Sequence, residues 1–195
     1  MWNADAVVLS TTEAIDVGGR QRTYTVVGPG DGVRPTAVVI IYHGSNQTGS
    51  KLRKFSGHIF DRLATKNRAV VTYPDGYKGH WNDARISTNF AARTEGYDDV
   101  AFTEGLIERL TAQYKVDPGK VYVVGFSLGG QMVIRLIHQS PRRLAGAGII
   151  SATQPAPENF ALVNVETVGV PVVLLHGTRD PLVPYGGGMA SLWGF

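Results

Sequence analysis

The sequence contains no cysteine, which excludes disulfides, a thiol nucleophile and thiolate metal sites and leaves the redox compartment open. It also lacks any apolar run near the roughly 18 residues a membrane helix needs, and Met1-Trp2-Asn3-Ala4-Asp5 has neither the basic start nor the apolar stretch of a signal peptide. The expectation is a soluble, cytoplasmic chain with no membrane partner, a secreted mature form being the alternative. An excess of one charge sign is missing too. The 19 Lys and Arg stand against 16 Asp and Glu, a formal charge of +3, and the basic residues are scattered rather than gathered on one run or helix face. No nucleic-acid partner is expected from such a surface. There is no H-E-x-x-H, no P-loop and no G-x-G-x-x-G after a suitable strand, so neither a metal nor an organic cofactor is implied.

The 195 residues, 43% of them hydrophobic, suffice for one compact domain spanning 1–195. Residues 22–28 read as a strand and Pro29-Gly30-Asp31-Gly32 as a turn; residues 37–42 form a continuous β-branched run, the pattern of a strand buried on both faces. Further short strands are expected at 69–73, 121–125, 145–151 and 170–176. Between them lie helical patterns. Phe55, Ile59 and Leu63 repeat every four residues over 55–64, and Phe102, Leu106, Ile107 and Leu110 share one face of 100–114. Residues 128–139 carry Met132, Ile134, Leu136 and Ile137. Alternating strands and helices give an α/β class: a mostly parallel sheet with helices on both faces and its chemistry at the carboxyl ends of the strands. Residues 151–169, which include Gln154-Pro155-Ala156-Pro157, read as a surface excursion over that end.

The motifs fall at those strand ends. Strand 121–125 runs directly into Gly125-Phe126-Ser127-Leu128-Gly129-Gly130 and an apolar helix, the strand, sharp turn and helix of a nucleophile elbow in the α/β-hydrolase fold. Small residues on either side let strand and helix approach, so that the Ser127 hydroxyl projects as a nucleophile. The helix amino terminus behind it offers backbone donors and a positive dipole end to a developing oxyanion. Tyr42-His43-Gly44-Ser45-Asn46-Gln47 closes the buried strand where this fold places the other oxyanion amide. The N–H groups of Ser45 and Leu128 are the expected pair, and His43 reads as structural.

In Leu174-Leu175-His176-Gly177-Thr178-Arg179-Asp180-Pro181, Asp180 occupies the place of the acid in the chain order Ser, acid, His. Asp75, in Tyr73-Pro74-Asp75-Gly76, is the rival carboxylate and reads as a turn residue. The five histidines, His43, His58, His80, His138 and His176, all precede Asp180, whereas that order asks for a base after it. The reading is a C-terminally incomplete α/β-hydrolase domain. A histidine from a second chain and a displaced His80 are the alternatives, and His138 lies too far along the helix behind Ser127.

HGSNQTG, YPDG followed by His80-Trp81-Asn82-Asp83, Asp98-Asp99-Val100 at a helix start, GFSLGG and HGTRDPLVPYGG occur in this order over about residues 37–188. Together they resemble the polyhydroxybutyrate depolymerase and feruloyl esterase group of α/β hydrolases. The resemblance implies a serine carboxylesterase acting on a small-molecule or polymeric ester through an acyl-enzyme, with Ser127 as nucleophile and Asp180 as acid. It also implies that Trp81 and Asn82 lie near the substrate cleft. Asp98 and Asp99 read as helix-capping carboxylates. The alternative is a non-catalytic or assembly-dependent module that keeps the fold without a working triad, forming a homo-oligomer through the open edge of its last strand.

Overall fold

Gly18 and Gly19, both at positive φ, turn the chain between β1 (Leu9–Val17) and β2 (Arg20–Gly28), which pair antiparallel with Leu9 opposite Gly28. This computed structural model describes residues 9–162 and 168–189. After the hairpin come β3 (Ala37–Tyr42), β4 (Ala69–Pro74), β5 (Val121–Phe126), β6 (Gly146–Ile150) and β7 (Val172–Leu175). They form one sheet in the order β1-β2-β4-β3-β5-β6-β7, parallel from β4 to β7, with β2 antiparallel to β4.

Alternate residues of β3 feed two separate apolar layers, as a strand buried on both faces requires. Val38 and Ile40 pack with Phe102, Leu106 and Leu110 of α4 (Asp99–Tyr114) and with Met132, Val133 and Leu136 of α5 (Leu128–Gln139). Val39 and Ile41 face the other way, onto Leu52 of α1 (Gly49–Phe55) and Ala64 of α2 (Asp61–Asn67). A short α3 (Ala91–Thr94) precedes α4. The helix expected over 100–114 begins one residue earlier, at Asp99, and the one over 128–139 has those bounds.

The helix expected over 55–64 is not continuous: α1 ends at Phe55 and α2 starts only at Asp61. Gly57 and His58 stand at φ 60° and 58° and break it, while Phe55 is 70% and Ile59 54% exposed, so their spacing marks no buried stripe. The chain instead starts α1 earlier, where Thr48 Oγ1 accepts the Lys51 N–H and caps it. Strand β1 was not expected. At the opposite edge β7 is exposed on both faces, Val173 at 62% and Leu174 at 58%.

The described part of the expected excursion, up to Leu162, is tied to a neighbouring loop. Ile86 N–H donates to Asn159 O (2.9 Å) and Ala161 N–H to Ala84 O (2.7 Å). Residues 163–167 lie outside the described residues. Among the described residues no helix is long and apolar enough to cross a membrane.

Candidate active site

Strand β5 delivers Ser127 into a backbone conformation that an L-residue rarely takes, φ 54° and ψ −118°. Packing on all sides enforces it. A Cβ on Gly125 would lie 2.1 Å from Gly129 O, and a Cβ on Gly129 would lie 2.2 Å from Tyr42 O at the end of β3. Only glycine lets strand, helix and neighbouring strand meet here. The Ser127 N–H donates to Ile150 O (2.8 Å), which pins the turn to the end of β6. Behind it α5 starts at Leu128, whose amide is among the first-turn N–H groups without an acceptor inside the helix.

The loop after β3 lies against this turn. A Cβ on Gly44 would sit 3.5 Å from Ser127 Cβ and 3.4 Å from Phe126 Cδ1, so Ser45 follows directly from a point of contact with the elbow. The Ser45 Oγ is buried without a hydrogen-bond partner. His43 is fully buried; its Nδ1–H donates to Gly44 O (2.7 Å) and its Nε2 accepts the Gly76 N–H (2.9 Å). Those partners fix a neutral ring, and burial holds its pKa below the usual histidine value. With both nitrogens engaged, His43 braces the loop.

Trp81 and Asn82 reach the same region from behind. Trp81 is fully buried, donates its indole N–H to His43 O (2.9 Å) and packs on the His43 and Tyr42 rings at centroid distances of 4.7 and 5.2 Å. The half-buried Asn82 gives its side-chain amide to Tyr97 O (2.9 Å) and its backbone N–H to Asp99 Oδ2 (2.7 Å). Trp81 is enclosed and backs the loop that carries Ser45 through its bond to His43 O, while the Asn82 side-chain amide is engaged by Tyr97 O.

Asp180 follows β7 at the same end of the sheet. Ser127 N–H to Ile150 O, and Ser151 N–H to Leu175 O (2.9 Å), set the ends of β5, β6 and β7 side by side. The Asp180 Oδ1 accepts the N–H groups of Val183 (3.0 Å) and Leu182 (2.9 Å), which hold its carboxyl below the usual range. His176 Nε2 is 3.7 Å from Asp180 Oδ2 and bonds Val183 O (2.7 Å).

Among the described residues no imidazole hydrogen-bonds Ser127. His80 meets Lys78 O (2.9 Å) and stacks on Phe90 at 4.0 Å, His138 meets Gln154 Oε1 (3.4 Å) and His58 meets Asp61 (3.1 Å). Among the same residues no group of three or more His, Asp or Glu side chains is placed to hold a metal ion.

Arg22 and Asp99 also bear on the site. Asp98 caps α4 as expected, its Oδ1 accepting the Ala101 N–H (2.9 Å). Asp99 does not cap; it is fully buried and bonded to Arg22 Nη2 at 2.7 Å. Burial raises its carboxyl pKa, opposed by Arg22 and by the Asn82 N–H. The available signal was a second acid at a helix start that needs only one.

The family model described as phospholipase/carboxylesterase matches residues 24–192, most of the chain. The chain belongs to the phospholipase/carboxylesterase family. Two relatives bear out the resemblance read from the motifs. Feruloyl esterase B of Piromyces equi is 29% identical across 83% of this chain and 29% of its own length. Poly(3-hydroxybutyrate) depolymerase of Ralstonia pickettii is 33% identical across 61% of this chain and 26% of its own. A solved thermostable esterase has the same α/β-hydrolase fold, with a TM-score of 0.66 at 19% identity over 92% of this chain and 49% of that one. This family member spans about half the length of NocK from Nocardia uniformis subsp. tsuyamanensis, to which it is 29% identical over 94% of its own residues and 52% of NocK.

Proposed function

We propose that this chain is the core of a carboxylic ester hydrolase that works through an acyl-enzyme on Ser127. The observation that carries the reading is the backbone of Ser127 at φ 54°, held between glycines whose Cβ positions are already filled by main-chain atoms. Ser127 Oγ attacks the ester carbonyl carbon, and the C=O electron pair moves onto oxygen, where the N–H groups of Ser45 and Leu128 receive the charge. Collapse of that intermediate expels the alcohol with a proton and leaves acyl-Ser127. Water then adds to the acyl carbon, releases the acid and restores the hydroxyl. Asp180 takes the acid's role of orienting the base, a role to which no histidine of this sequence is assigned. The substrate is a small or polymeric carboxylic ester, which the names of the feruloyl esterase and poly(3-hydroxybutyrate) depolymerase relatives support.

The test is turnover of p-nitrophenyl acetate together with labelling of Ser127 by a fluorophosphonate. Loss of both in Ser127→Ala supports the proposal; absence of both from the wild-type chain overturns it. The second reading, an assembly-dependent module, is favoured by the lack of an imidazole bonded to Ser127 among the described residues and by the bare faces of β7. It predicts a dimer in light scattering that Val173→Asp dissociates, and a monomer at all concentrations counts against it.

A further inference from the structure

Segment 75–82 crosses the back of the loop that follows β3 and grips it at three points. Gly76 N–H donates to His43 Nε2 (2.9 Å), the Trp81 indole N–H donates to His43 O (2.9 Å), and Asn46 N–H donates to Gly79 O (3.0 Å). There is little slack in the contact: a Cβ on Gly79 would lie 3.2 Å from Asn46 Cα, and one on Gly76 would lie 3.1 Å from His43 Cε1.

Both ends of this clasp are held by one buried ion pair. Arg22, on β2, donates from Nη2 to Asp75 O (3.1 Å) at one end and to Asp99 Oδ1 (2.7 Å). Asp99 Oδ2 accepts the Asn82 N–H (2.7 Å) at the other end. The pair is almost wholly out of water, with Arg22 4% and Asp99 0% exposed, and the guanidinium lies 4.2 Å over the Phe102 ring. From α5, Arg135 Nη1 donates to Asn82 O and fixes that end a second time.

A buried ion pair is a poor source of stability, because desolvation takes back most of the attraction and well-packed apolar residues serve as well. What apolar residues cannot supply is two directed, charge-assisted bonds to backbone groups at opposite ends of one segment. The bonds from Arg22 to Asp75 O and from Asp99 to Asn82 N–H do this, and the segment between them bears on the loop whose Gly44 touches the elbow. We infer that the Arg22–Asp99 pair is a positioning device for the oxyanion loop, setting through segment 75–82 where the Ser45 N–H stands relative to Ser127. The inference rests on the hydrolase reading of Ser45.

Asp99→Asn keeps the shape of the side chain and removes its charge. The control is Asp61→Asn, on the other side of the sheet, which removes the charge and the Oδ2 acceptor of a pair to Arg53 (2.9 Å) and so destabilises without touching the clasp. Hydrogen–deuterium exchange over residues 43–47 is expected to rise by about tenfold or more in Asp99→Asn beyond the change in Asp61→Asn. In p-nitrophenyl acetate turnover, kcat is expected to fall by about tenfold or more in Asp99→Asn with KM within about twofold, while Asp61→Asn keeps its kcat.

If Asp99→Asn does not fold, Arg22→Gln carries the same two measurements, since its shorter neutral side chain gives up the charge and the two bonds donated from Nη2. Exchange over 43–47 that rises no further than in Asp61→Asn overturns the inference, as does a lowered melting temperature with unchanged kcat. Absence of Ser127-dependent turnover in the wild type overturns the hydrolase reading instead, and the exchange comparison then decides the positioning role alone.

Discussion

Replacing Ser127 by glycine is expected to raise stability while replacing it by alanine does not, although both remove the hydroxyl. The residue stands at φ 54° and ψ −118°, where a Cβ is penalised and glycine is not. Such a conformation costs on the order of 1–3 kcal/mol. Glycine gives back about 0.4–1 kcal/mol through the greater freedom of the unfolded chain. Mid-range values leave about 1.3 kcal/mol in favour of glycine over alanine. For a chain of this size about 2–4 °C accompanies each kcal/mol, so Ser127→Gly should melt about 3–5 °C above Ser127→Ala. Thermal unfolding of the three proteins by circular dichroism in one buffer measures this, with urea unfolding as a check that the slope m is unchanged. If Ser127→Gly melts at or below Ser127→Ala, the turn holds no strain and the argument for an elbow loses its footing.

Gly129→Ala places a Cβ against the Tyr42 carbonyl and should cost about 3 kcal/mol and abolish fluorophosphonate labelling. Gly177→Ala meets nothing nearer than 3.9 Å and should stay within about 0.5 kcal/mol of wild type by the same melts. Trp81→Phe keeps a ring but leaves the buried His43 carbonyl without its donor, an expected loss of about 1–3 kcal/mol in urea unfolding. Burial depresses the pKa of His43, so below about pH 6.5 the unfolded chain takes up a proton that the folded chain refuses. Its contribution is therefore present above about pH 6.5 and is lost as pH falls towards the folded pKa. Urea unfolding from about pH 7 to about pH 5 should show this loss, and His43→Gln should flatten it; equal slopes in the two proteins would refute the assignment.

Elements whose side chains face the core along their whole length were legible. Residues 37–42 and α5 carry a continuous buried pattern, and β3 and α5 fall there. Strand β1 escaped because its one covered face is weakly apolar, Glu13 sharing it with Ile15 and Val17. Phe55 and Ile59 misled for the opposite reason: they sit at helical spacing but remain exposed around the turn at Gly57 and His58. Within the site, the elbow could be read because all its parts are contiguous, from Gly125 to Gly130. The Arg22–Asp99 pair could not, since nothing local in either residue tells of a partner 77 positions away. Trp81 had a motif around it but no local signal of burial, and only its indole bond to the His43 carbonyl gives its role.

That separation also orders the events of folding. The bonds that complete the loop join residues 33, 38, 53 and 77 apart, so entropy of loop closure is lost before any of them is rewarded. In a chain growing from its amino end, His43 waits for Trp81, Arg22 waits for Asp99, and Asn82 waits for Arg135. Arg135 comes only about two helical turns after Ser127. The loop that would receive the negative charge and the serine that would create it therefore reach completion within the same short stretch of synthesis.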